Sequence, residues 1–591
     1  MKKIALLLNC LLIAVVLQAQ LEVMEKGHDI SRKARKGYLG AIQANADNNT
    51  FDLIFVLKSP STKIITETYT FDKDLNLKNT LKEEEELEKV KKKHKWFKYK
   101  GETYESKSIY VRSNFKSEIV FREKRISYKW SWLRGGYAKK VKLGEKVKPK
   151  DEASGARYLF RGGYYENDPA GYMLVVAGLK EGNDIGKSYL KYQILQVDDQ
   201  INVTVKDAIE FPKAKAPVFS EPLADDDPAN NDDSPRDWII VFAPQGGPGM
   251  GKVEGNPRAY TYFRYSPNGT LKEKVEFEVP VAGWRILGAY QKDGKVYMYG
   301  PGIGKDKNSN EIFKGPVLAT TSDEEGDAKK SMFNFTEAAQ ATQSQIDARL
   351  DEMKYTNFQI ARVNNQAIFV AAPSIDEINK NNVKPNGQKK EVEFDGKRFV
   401  TTGVNVLNDG SIFISGQDFK LDGIGRNKGT RLYKGLFLLQ FDGTGKFVRN
   451  YGLELDQKKY MGMFSSGITP NMVPASSSLV ESGNHQKIYW MISMCKAIDT
   501  DTDIDTDFNF FTGIQTTTYS TSFTPLYTIE YGEIDVASGK ASDFKTLGED
   551  EKRKFYLMPD KFSLRLGNYI IYLSETIKGD KLLFSRFDIT K

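Results

Sequence analysis

Hydrophobic residues along this chain gather in short runs of strand length, at Asp52–Lys58, Tyr172–Gly178, Trp238–Ala243, Ala367–Ala372, Ile488–Ser493 and Tyr569–Leu573. Turn residues separate them, and the spacing between apolar positions is that of strands rather than helices. Three segments break this pattern. Leu81–Tyr99 sets Glu83–Glu86 and Glu88 ahead of Lys89, Lys91, Lys92, Lys93 and Lys95, an order that suits a short exposed helix with i, i+4 pairs and a favourable dipole. Thr336–Lys354 carries Ala, Gln, Leu and Met at helical spacing and is read as a second helix within an insertion over 323–354. Pro222–Pro235, with five aspartates, is read as an acidic loop.

The strands repeat in units. Leu287–Gly300 and Gly403–Gly416 align without gaps as strand, Asp-Gly turn, strand, glycine. Asp293-Gly294 and Asp409-Gly410 suit the positive φ values of a tight hairpin. A second unit recurs as Phe71-Asp-Lys-Asp-Leu-Asn-Leu77, Tyr265-Ser-Pro-Asn-Gly-Thr-Leu271, Phe441-Asp-Gly-Thr-Gly-Lys-Phe447 and, more loosely, Ile534-Asp-Val-Ala-Ser-Gly-Lys540. Two hairpins in succession make a four-stranded meander, and meanders repeated around an axis are propeller blades. The chain thus resembles β-propeller repeat proteins, with no Trp-Asp or kelch signature to fix a subfamily. The resemblance implies an all-β fold of roughly seven four-stranded blades, six to eight being compatible with the count, with small helical insertions. It also requires the first and last strands to meet, which makes Lys581–Asp588 the run that completes a blade begun near the N-terminus. A row of β-sandwiches is the alternative.

Composition agrees: 12% aromatic residues and 49 glycines favour strands and turns over helices. The start MKKIALLLNCLLIAVVLQAQ has two lysines, an apolar run from Ile4 to Leu17 and a small residue at Ala19, the pattern of a secretory signal peptide over residues 1–19. Residues 20–591 are then one propeller domain. Asn9 stands where a lipid-attachment box ahead of Cys10 needs a small residue, and the apolar run is too short for a permanent span. No integral membrane span is expected elsewhere. Net charge is +8, with 86 basic and 78 acidic residues interspersed, so nucleic acid is not a partner.

Candidate chemistry is sparse. His28, His94 and His485 stand in unrelated contexts, which argues against a histidine-rich zinc site. Cys495 lies in an apolar run and is read as a buried structural thiol. Gly246–Val253 approximates a phosphate-binding loop, but Val253 replaces the magnesium-binding hydroxyl and Pro257 prevents the following helix. Asp499, Asp501, Asp503 and Asp505, followed by Asp507, alternate like the first ligands of a calcium loop; Ile504 and Phe510 stand where an EF-hand requires glycine and glutamate. Calcium on these aspartates is the one metal expectation, and no other cofactor is expected. Leu133-Arg-Gly-Gly-Tyr137 and Phe160-Arg-Gly-Gly-Tyr164 are read as equivalent turns.

Two functional expectations follow. The first is a non-catalytic binding or scaffold protein of the bacterial envelope, located in the periplasm and partnered by an envelope protein such as an outer-membrane transporter or secretion complex. The second is a carbohydrate-active hydrolase or sugar-binding propeller with its site in the central funnel, where tyrosine or tryptophan would form stacking platforms and carboxylates would converge.

Overall fold

The computed structural model describes residues 23–57, 63–86, 105–113, 118–131, 136–167, 172–180, 189–223, 236–244, 255–303, 354–421, 431–455, 470–483, 485–509, 514–547, 555–557, 563–577, 579 and 581–590. The N-terminal apolar run, His94, the loop Gly246–Val253, the acidic stretch 224–235 and the expected helix Thr336–Lys354, save its last residue, lie outside them.

Among the described residues the strands are grouped in eight sheets, built almost wholly from antiparallel neighbours in sequence. After β1 (Val23–Asp29), blade 1 comprises β2 (Tyr38–Asn45), β3 (Thr50–Leu57), β4 (Lys63–Asp72) and β5 (Leu77–Glu86). Among the described residues blade 2 has three strands, β6 (Glu105–Ser113), β7 (Ile119–Ser131) and β8 (Gly136–Leu143). Blade 3 is β9 (Arg157–Asn167), β10 (Tyr172–Lys180), β11 (Lys191–Asp198) and β12 (Val203–Glu210). Blade 4 is β13 (Lys215–Pro222), β14 (Trp238–Pro244), β15 (Ala259–Tyr265) and β16 (Leu271–Glu278). Blade 5 is β17 (Gly288–Lys292), β18 (Lys295–Gly302), β19 (Asn357–Val363) and β20 (Ala367–Ala371). Blade 6 adds a short parallel strand, β21 (Asn382–Val383), outside β22 (Phe399–Val406), β23 (Ile412–Leu421), β24 (Arg431–Phe441) and β25 (Phe447–Glu454). Blade 7 is β26 (Ser476–Glu481), β27 (Lys487–Asn509), β28 (Ile514–Asp535) and β29 (Lys545–Thr546). Blade 8 holds β30 (Phe555–Leu557), β31 (Ser563–Leu566), β32 (Tyr569–Thr576) and β33 (Lys581–Asp588).

The ring closes through β1, which pairs antiparallel with β33 from Val23↔Phe587 to Asp29↔Lys581. This is the expected meeting of first and last strands, and it makes the fold an all-β propeller. The eight sheets stand at the upper end of the expected count. Seven of the eight junctions between neighbouring blades are filled by apolar clusters; that between blades 1 and 2 has none among the described residues.

The first strand of each blade lies innermost. Inner strands touch each other from blade to blade, and a Cβ on Gly403 of β22 would overlap the Ser477 carbonyl of β26. Second strands such as β14 are buried throughout, whereas outer strands such as β5 and β16 are mostly exposed. This explains why the second strands supplied the continuous apolar runs: covered on both faces, they need not alternate.

Consecutive antiparallel strands place every first-to-second and third-to-fourth turn on one face of the ring. Several third-to-fourth turns are capped locally. Asp72, Ser266, Asp442 and Asp535 of the second repeated unit each accept from amides two to four residues ahead, the local bonding that makes these residues turn formers. Asp198 does the same at Gln200 and Asn202, a fifth instance that the pattern missed. Asp293 and Gly294 take φ of +49° and +74°; at the aligned hairpin only Gly410 does so, at +84°, because Leu407 bonds both Gly410 and Ser411 in a longer turn.

Two buried indoles repeat in register. Trp238 of β14 donates to Ser220 Oγ at 3.1 Å, and Trp490 of β27 donates to Ser477 Oγ at 2.8 Å. Each tryptophan is opposite the residue two positions beyond its serine, Pro222 or Leu479. The same diagonal bond ties second to inner strand in blades 4 and 7.

The expected helix at 81–99 is corrected over its described part. Leu81–Glu86 belongs to β5, paired with Lys63–Thr68 of β4. The charges suit a solvent-facing outer strand as well as they suit a helix, and Glu84 pairs across the strand with Lys63 at 2.8 Å; pairing to β4 overrides helical propensity. No helix among the described residues is long and apolar enough to cross a membrane.

Candidate functional site

The duplicated Arg-Gly-Gly-Tyr motif does not form two equivalent turns. Phe160–Tyr164 lies within inner strand β9, and Gly136-Tyr137 opens β8 of blade 2. Gly163 has a steric cause: a Cβ there would overlap Ser220 Oγ, the acceptor of Trp238 on β13. The inner strands of blades 3 and 4 therefore run almost backbone to backbone at this point.

One residue further along each strand come Tyr164 and Glu221. Tyr164 is 41% exposed, the one exposed aromatic among the described residues. Glu221 is also exposed to solvent, yet burial raises its carboxyl above the ordinary value. Among the described residues no ion pair or hydrogen bond stabilises the charged form of this carboxylate.

Blade 5 supplies a phenol. Tyr299 of β18 is opposite Gly288 of β17, and a Cβ on Gly288 would overlap the Tyr299 hydroxyl. The missing side chain lets the phenol lie over the inner strand. Burial, and then the charge of Glu221, push the Tyr299 hydroxyl upward, so it stays a hydrogen-bond donor. Acid and exposed aromatic ring thus come from the adjoining inner strands of blades 4 and 3, and the phenol from the second strand of blade 5. No short motif announces them, because they derive from three blades; the Gly-Gly pair beside Tyr164 was the available signal.

Asp499, Asp501, Asp503, Asp505 and Asp507 are strand positions of β27, in the part of the β27–β28 hairpin beyond the register shift at Cys495/Ala497. Their partners are Thr524, Ser522, Ser520, Thr518 and Thr516. Residues two apart on a strand are separated by about 6.6 Å, so the backbone lays these acids out as a ladder rather than curling them into a loop. The side chains of 500–523 lie outside what the structure describes; among the described residues no three metal-ligating side chains converge.

Cys495 is partly buried, donates to the Ala497 carbonyl at 3.2 Å, and its thiol is pushed up to about 11 by burial. His28 of β1 is structural: its Nε2 donates to the Leu75 carbonyl at 2.9 Å, and its ring packs on Phe71 and Phe584. It joins the closing blade to blade 1, as does Arg586, which bonds the Lys73 carbonyl and Asp74 and stacks over Tyr569.

No protein-family model and no curated protein matches the chain. Several solved structures are similar in fold. A lignostilbene dioxygenase from Pseudomonas brassicacearum is 10% identical, with 83% of this chain and 94% of that one covered and a TM-score of 0.28. The WD40 domain of SCAP from fission yeast is 7% identical, with 96% and 98% covered and a TM-score of 0.21. A GH43 β-xylosidase/α-arabinofuranosidase from a compost microbial metagenome is 14% identical, with 63% and 91% covered and a TM-score of 0.19. These neighbours correct the first functional expectation. Two of these three are titled as enzymes rather than scaffolds, and the non-catalytic scaffold reading is dropped. At these scores none of their activities passes to this chain.

Proposed function

We propose that this chain is a carbohydrate-active propeller whose site lies where the inner strands of blades 3 and 4 adjoin the second strand of blade 5. The observation that carries the reading is Glu221, a solvent-reached carboxyl with a raised affinity for its proton and no ion pair among the described residues. Such a group donates a proton to a leaving oxygen, the role of the acid carboxyl in glycoside cleavage. Tyr164 supports the same reading as a ring on which a sugar face stacks, and the Tyr299 phenol as a donor to a sugar hydroxyl. The basic and apolar start of the chain supports export to the periplasm, where glycans are met.

The test is a glycan array together with hydrolysis of a panel of aryl glycosides and oligosaccharides. Expected are binding that Tyr164→Ala abolishes and turnover that Glu221→Gln lowers by about 10²-fold or more, with binding retained. Binding without turnover leaves a sugar-binding propeller and removes the acid role from Glu221. A blank array and a blank hydrolysis screen overturn the reading.

A further inference from the structure

The turn face carries a concavity well apart in sequence from Tyr164, Glu221 and Tyr299. It opens between blades 6 and 7, where the turn Leu407–Ser411 faces the turn Ser482–His485, and has a volume of about 360 Å³. Its floor is apolar, formed by Leu407, Phe413, Ile488 and Val536. Its polar lining consists of Asn408, Asp409, Ser411, Gln440, Glu481 and His485, without a lysine or arginine.

The polar groups are held in place. Glu481 Oε1 accepts from His485 Nδ1 at 2.6 Å, and Glu481 Oε2 accepts from Asn408 Nδ2 at 3.2 Å. That second bond links the two blades across the cleft. Asp409 is held by the Ser411 amide and hydroxyl, both at 2.8 Å. His485 takes a left-handed φ of +56° in its turn, a conformation that histidine adopts more readily than most non-glycine residues, and its imidazole meets Glu481. Two carboxylates and amide oxygens thus rim an apolar floor, and two carboxylates against a single imidazole leave the cleft with net negative charge.

We infer that this cleft binds an aliphatic ammonium group, its alkyl chain on the Leu407, Phe413, Ile488 and Val536 floor and its nitrogen between Glu481 and Asp409. The chemistry is that of a free alkylamine or of a lysine side chain. An organic anion meets two carboxylates and is rejected, while a neutral alcohol gains the floor but not the charge. The inference stands independently of the carbohydrate reading, since no residue is shared.

The experiment uses the full chain and ligand-observed NMR at pH 8 and low salt, with pentylamine, N-acetyl-lysine methylamide, pentanol and pentanoate as probes. Both amines are expected to bind with dissociation constants of about 0.1–10 mM, and pentanol and pentanoate at least tenfold more weakly. Binding by pentylamine alone assigns the cleft to free amines; binding by the lysine derivative alone assigns it to a peptide side chain. Glu481→Gln is expected to weaken amine binding at least tenfold. Val536→Trp, at an exposed position, fills the cleft without disturbing the core and is expected to abolish binding. Equal binding of pentanol and pentylamine, amine binding unchanged in Val536→Trp, or no amine binding at about 20 mM overturns the inference.

Discussion

Gly416 closes the first repeated unit, and the structure gives the cost of replacing it. A Cβ at this position would fall within the Phe399 ring, overlapping Cζ, Cε1 and Cε2 together, so the ring must move. It is not free to do so. Phe399 is 3% exposed and packs on Phe394 and Phe358 with centroids at 5.2 and 5.8 Å. Overpacking of this kind costs about 1–3 kcal/mol, and each aromatic contact disturbed adds about 0.5–1.5 kcal/mol. Gly416→Ala is therefore expected to destabilise by about 3 kcal/mol. Phe399→Leu removes the obstructing ring atoms at a cost of its own, and in that background the alanine should be tolerated. The double mutant is expected to be less destabilised than the sum of the singles by at least about 1 kcal/mol, within the range for contacting residues. Urea unfolding midpoints at constant slope read the cycle. Gly294→Ala is the control: its φ is +74° and its added Cβ meets nothing within 4 Å, leaving only the left-handed penalty of about 1–2 kcal/mol. Additive behaviour of the pair, or a Gly416→Ala change below about 0.5 kcal/mol, would refute the steric argument.

Three further outcomes are expected. Burial lowers the His28 pKa below 6.5, so the unfolded chain takes up this proton first; stability should fall as pH drops from about 6.5 and level off below the folded value. Thermal unfolding between pH 7.5 and 5 should show a shallower slope in His28→Gln. Ser477→Ala leaves the buried Trp490 indole N–H unpaired and should cost about 1–3 kcal/mol, yet nearly nothing in a Trp490→Phe background, as denaturant titration of the four proteins will show. The Thr444 hydroxyl and turn amides hold the Asp442 carboxyl below its usual range; its contribution is present above the unfolded value near 3.9 and is lost as pH falls through the lower folded one. Asp442→Ala should cost about 1 kcal/mol at pH 7, as loss of a capping side chain does, and the difference from wild type should vanish in acid melts.

What the sequence revealed was local. Asp442 and Ser266 announce their turns because the bonds they make reach only two to four residues. The apolar runs at β10 and β14 are legible because both faces of a second strand are covered. Leu81–Glu86 misled because an outer strand wet on its exposed side carries the charge pattern of a solvated helix, and only its partner β4 distinguishes the two. The Trp–Ser diagonal was hidden by unequal loops, which place Trp238 18 residues and Trp490 13 residues beyond their serines. Glu221 was one acid among 78; its crowding beside Gly163, Ser220 and Tyr299 exists only once three blades are assembled.

Closure by β1 also governs how the chain reaches this state. Glu25 accepts a hydrogen bond from Ser585, 560 positions away, so the final junction cannot form until nearly every residue has been synthesised. Bringing the two ends together from an open chain costs roughly 5–6 kcal/mol in loop entropy by (3/2)RT ln n. Blades already stacked along the arc reduce that penalty by holding β33 close to β2 before β1 arrives. The N-terminal strand thus belongs to the last step of folding rather than the first, and until it docks the edge of β33 stands open to pairing with another chain.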